Sequence, residues 1–93
     1  MDIEIKLEKP MKIKGKETKV IHLDLEKLTG NDLVQAEREA RAMGVAEGSV
    51  LASMKYQAII CAKAIGCPVD DLLGINAADF KNIVRQAAAF LRG

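Results

Sequence analysis

The sequence predicts an α+β fold: an N-terminal antiparallel β-hairpin over about residues 2–26, then a small helical bundle of three main helices over 29–92, in a single domain of 93 residues. Three observations predict it. Apolar residues alternate with charged or polar ones from Ile3 to Leu7 and again from Thr18 to Leu25, the period of strands with one buried face. Two later segments share one helix-start grammar: an apolar residue, a capping side chain, an acid three positions on, and an apolar residue after it. Length supplies the third, since a chain this short buries only about 60–65% of its unfolded surface, enough for one modest core with self-association as an added source of stability.

In the first strand Ile3, Ile5 and Leu7 lie on one face, and Met11 and Ile13 keep their parity beyond Pro10. Proline has no amide hydrogen for a ladder, so the strand is expected to bend there, at an edge or a bulge. Lys14-Gly15-Lys16 reads as a turn, and the return strand puts Ile21, Leu23 and Leu25 on one face with Val20, His22 and Asp24 on the other. Thr29 caps the first helix, with Asp32 near the positive end of its dipole and Leu28 stapled to Leu33. That helix runs to about Met43 and ends at Gly44. Ser49 is expected to cap a second helix that continues to Ile65 and stops at Gly66-Cys67-Pro68. Val69 to Leu73 offers one or two turns, and Asn76 opens a last helix to about Leu91. The expected core includes Leu33, Leu51, Met54, Cys61, Ile65, Phe80, Val84 and Leu91, with Phe80→Ala costing about 3–5 kcal/mol.

Composition narrows function by exclusion. Lys+Arg 14 against Asp+Glu 13 leaves a net charge of +1, no field with which to gather phosphates, so nucleic acid is disfavoured as a partner. One His, one Tyr and no Trp leave little for acid–base chemistry, and no nucleophile with its base or Gly-rich phosphate loop is present; an enzyme is not expected. Cys61 and Cys67 lack the further ligands of a zinc site and read as free thiols of a reducing compartment, so no metal or cofactor is expected. No apolar run approaches a membrane span, and the alternating N-terminus does not read as a signal peptide.

The second helix is the most informative element, because it is apolar almost all round. Val50, Leu51, Met54, Ala58, Cys61, Ala62 and Ile65 make one broad face, and Ala52, Tyr56, Ile59 and Ile60 a second. Covering a whole circumference strains a chain this size, and Lys55 and Lys63 flank Ile59 as if to hold that side near solvent. Ala52, Tyr56, Ile59 and Ile60 are therefore the expected partner-binding surface, with the hairpin lying over them as the rival arrangement. Lys12, Lys14, Lys16 and Lys19 crowd the hairpin tip and read as a solvated edge that resists strand-to-strand aggregation.

The order of these signals resembles the tail assembly chaperones of Mu-like and P2-like contractile-tailed bacteriophages. The matching pieces are Leu7-Glu8-Lys9-Pro10-Met11, the Gly15 turn, Leu23 through Leu33 from return strand into helix, Gly66-Cys67-Pro68-Val69-Asp70-Asp71-Leu72, and Asn76-Ala77-Ala78-Asp79-Phe80. The resemblance implies a non-enzymatic chaperone in the bacterial host cytoplasm, absent from the finished virion, that binds the tape measure protein before the tail tube polymerises. It also implies that a longer frameshifted product can accompany this short form. The competing readings are a small DNA-binding regulator using the last two helices, and a minor structural tail subunit. Against the regulator stand Asp70, Asp71 and Asp79 at the helix ends that should approach DNA.

Overall fold

In a computed structural model, which describes residues 2–46, 48 and 50–93, the hairpin comes first and the helices follow, as the sequence predicts. Strands β1 (Asp2–Ile13) and β2 (Lys16–Asp24) form a two-stranded antiparallel sheet. Lys14 and Gly15 connect them, both at positive φ (52° and 82°), the paired left-handed geometry that matches the twist of a two-residue hairpin loop. Helices α1 (Gly30–Ala42), α2 (Met54–Ile65), α3 (Val69–Leu73) and α4 (Ala77–Arg92) complete the order, with short 3-10 turns at Leu25–Lys27 and Val50–Ala52.

The side-chain caps form as expected at both helix starts. Thr29 accepts the Asp32 amide while the Asp32 carboxylate accepts the Thr29 amide, so Asp serves in the capping box where Glu is usual. Asn76 accepts the Asp79 amide at the start of α4. At the far end of α1, Gly44 at φ 97° lets the Val45 amide reach back to the Ala40 carbonyl, a Schellman closure.

Pro10 does mark a bend, and the bend is long. Lys6 pairs with Val20 and Met11 with Thr18, so β1 carries an irregular segment between two regular ladders. The Glu8 amide in this segment donates to both carboxylate oxygens of Asp79 (2.8 and 3.1 Å), and the Lys9 amide to one of them (3.1 Å). Asn76 adds a 2.6 Å bond from its side-chain amide. Asp79 is thereby 1% exposed yet fully partnered, as a buried carboxylate must be. Burial pushes its pKa up, but the bonds from Glu8, Asn76 and Lys9 outweigh that, and the carboxyl titrates below its ordinary value. Farther along, the Lys14 amide donates to Asp71 of α3 at 3.1 Å, a second fastening of hairpin to helices.

Helix α2 is the hub, packed against α1, α3, α4 and β2. Ala58, Ile60 and Cys61 are completely buried on it, and Ile60 and Cys61 share one continuous core with Ile21 and Leu23 of β2, Leu72 of α3, and Ile83 and Ala87 of α4.

Several expectations need correction. The second helix starts at Met54, capped by Ser53, whose hydroxyl accepts the Lys55 and Tyr56 amides; Ser49 lies outside the described residues. Val50–Ala52 is a separate 3-10 turn, so the face drawn through Val50, Leu51 and Met54 does not exist as one stripe. Val50 is buried, whereas Leu51 and Met54 are 49% and 51% exposed. Cys61 and Val84 are buried as expected, but Leu33, Ile65, Phe80 and Leu91 are only half-buried. On α4 it is Ile83, Val84 and Ala87 that are buried, and Phe80 stands outside the continuous core.

Candidate functional site

The four residues expected to face a partner divide sharply. Ala52 is exposed in the 3-10 turn, while Tyr56, Ile59 and Ile60 are 3%, 3% and 0% exposed. Helix α1 covers this side of α2, and the two lysines show how. Lys55 Nζ donates to the Met43 carbonyl at the C-terminal end of α1 (2.9 Å), and Lys63 Nζ pairs with Glu39 (3.2 Å). Their heads grip the polar edges of α1 rather than marking a solvent-facing strip, and the apolar residue between them is roofed over. Tyr56 joins the same contact, its hydroxyl donating to the Leu33 carbonyl at 3.2 Å. Burial, and then the nearby Glu37 charge, raises the phenol pKa. Tyr56, Ile59 and Ile60 are therefore buried within the chain rather than turned outward, with α1 lying over Tyr56 and Ile59, and with Ile60 sharing the core with β2.

The later helix start turns a different set of apolar side chains outward. Gln57, itself buried, donates its side-chain amide to the Leu51 carbonyl (3.0 Å) and so fixes the 3-10 turn against α2 with the Leu51 side chain left in solvent. Leu51 and Ala52 border a shallow depression whose other walls are Gln57, Ala88, Leu91 and Arg92, between this turn and the end of α4. Met54 follows directly. The signal that could have revealed this surface is Ser53, a capping residue type four positions after Ser49, which shifts the helix phase and moves Leu51 and Met54 out of the core stripe.

A second groove runs between α1 and the α2–α3 junction, lined by Ala42, Met43, Ile59, Cys67 and Val69 among others. Burial raises the pKa of both cysteine thiols. Cys61 donates its thiol to the Ile83 carbonyl (3.6 Å), and burial pushes its pKa up to about 12; burial, with Asp71 nearby, also raises that of Cys67. Among the described residues, no group of His, Cys, Asp and Glu could hold a metal ion, and no helix is long and apolar enough to cross a membrane. His22 is exposed and faces Asp2 across the hairpin (3.4 Å). The N-terminal turn of α4, where a DNA-reading helix would approach its target, is filled by the Glu8–Lys9 backbone bound to Asp79.

No curated protein and no solved structure gives a significant match. A family model described as phage tail assembly chaperone proteins, E, or 41 or 14, matches residues 4–92, from the start of β1 to the last turn of α4. With that match spanning hairpin, helices and both capped starts, the chain belongs to the phage tail assembly chaperone family.

Proposed function

We propose that the chain is a non-enzymatic chaperone that binds the phage tape measure protein before the tail tube polymerises around it, acts in the bacterial host cytoplasm and is left out of the finished virion. Family membership supports the role, and the apolar surface of Leu51, Ala52 and Met54 is the observation that carries the binding site. Three neighbouring apolar side chains held in solvent by a fastened turn are an unusual expense for a 93-residue chain, and they suit an apolar helical ridge of a long partner. Ala52 is the contact among the four residues expected from the sequence; Tyr56, Ile59 and Ile60 serve it from beneath, by seating α2 against α1. The chain also self-associates in this reading.

Leu51→Asp and Met54→Asp test the site. Both side chains are half exposed, so each variant should keep the helical circular dichroism and unfolding midpoint of the parent, while capture of co-expressed tape measure protein falls about tenfold or more, as loss of a buried apolar anchor requires. Undiminished capture by the double variant would place the contact elsewhere, and recovery of the chain in purified particles would favour a structural subunit.

A further inference from the structure

We propose that the outer edge of β2 is the self-association surface, pairing antiparallel with β2 of a second copy to make a four-stranded sheet across a twofold axis at Val20. The two edges of the hairpin are not equivalent. The β1 strand is interrupted between Lys6 and Met11, carries Pro10, and gives its Glu8 and Lys9 amides to Asp79. A third strand cannot follow it along its whole length. The β2 strand is nine residues long and, among the described residues, its sheet partner is β1 alone, which leaves its outer row of N–H and C=O groups for a further strand.

The side chains of β2 choose which strand fits. Pairing over its full length, centred on Val20, sets Lys16 against Asp24 and Thr18 against His22, each pair occurring twice, with Val20 meeting its own copy on the axis. All five residues share the face of the hairpin turned away from α2, and there opposite charges meet at both ends around an apolar centre. Parallel in-register stacking would instead set Lys16 on Lys16 and Lys19 on Lys19, so the same lysines that oppose open-ended aggregation permit the twofold arrangement. Growth stops at two, because each copy then presents only its interrupted β1 edge.

This inference rests on the self-association in the proposed function and not on the tape measure partner. Sedimentation equilibrium of the full chain at micromolar concentrations should report twice the monomer mass. Lys16→Asp, an exposed position, should weaken dimerisation about tenfold, because the repulsion enters twice, and adding Asp24→Lys should restore it. Val20→Lys, which sets like charges together on the axis, should give a folded monomer. A parent chain that stays monomeric into the tens of micromolar overturns the proposal, as does a dimer that both Lys16→Asp and Val20→Lys leave unchanged. A monomer that still captures the tape measure protein overturns this interface while leaving the chaperone reading in place.

Discussion

Replacing Asp79 by Asn keeps the size of the side chain and one carbonyl oxygen but removes the charge that the Glu8 amide, the Lys9 amide and the Asn76 side chain all donate to. Bonds to a charged acceptor inside a protein are the costly ones to lose, and Asp79→Asn is expected to destabilise the chain by about 1.5–3 kcal/mol near neutral pH. The sign of the pH dependence follows from the depressed pKa. The unfolded chain takes up the proton first, so the Asp79 contribution is complete above its ordinary value of 3.8 and is lost as pH falls through the lower, folded one. Denaturant melts recorded from about pH 5 down to pH 3 should therefore show the parent converging on the variant; a constant gap over that range would mean the carboxylate is not held as the geometry requires. The bend at Pro10 was legible in the sequence, because a missing amide hydrogen is a local property. Its partner was not, since a residue some seventy positions away supplies the acceptor and the spacing gave Asp79 only the role of a helix-start acid.

At the scale of elements, what could be read was whatever a short window contains: the alternation of both strands, the Thr29 and Asn76 starts, the stop at Gly44. Helix α2 shows where a window fails. Ser49 and Ser53 both suit an N-cap and sit about one turn apart, so the choice between them sets the phase of every residue in the first turn, and only tertiary packing makes it. Lys55 and Lys63 were equally ambiguous, because a lysine beside an apolar residue can reach for water or for the edge of a covering helix. Helix α4 gives a direct check. Ile83 is completely buried and central to its face, whereas Phe80 is half-buried at the first turn. Ile83→Ala should cost about 2–5 kcal/mol in chemical denaturation and Phe80→Ala clearly less, below the 3–5 kcal/mol of a central aromatic. The reverse order would mean that α4 is rotated about its axis.

For the whole molecule, a small core is enclosed by making α2 a hub, with α1 as a roof clasped by two lysines and the hairpin fastened by Asp79 and Asp71. That economy explains why Tyr56, Ile59 and Ile60 became core while Leu51 and Ala52, in the turn that precedes α2, and Met54, its first residue, stayed exposed. It also fits the family, whose members assist tail assembly. The family was legible through an ensemble of weak local pieces in the right order, whereas which apolar residues stay exposed was not, since exposure depends on which elements end up covering which. The central claim is that the chain holds the tape measure protein in a soluble, unassembled state. Co-expression of the two, followed by separation of soluble from aggregated material, tests it most directly: the account predicts soluble tape measure protein that co-purifies with the chain, and tape measure protein equally soluble or equally aggregated with and without the chain would contradict it.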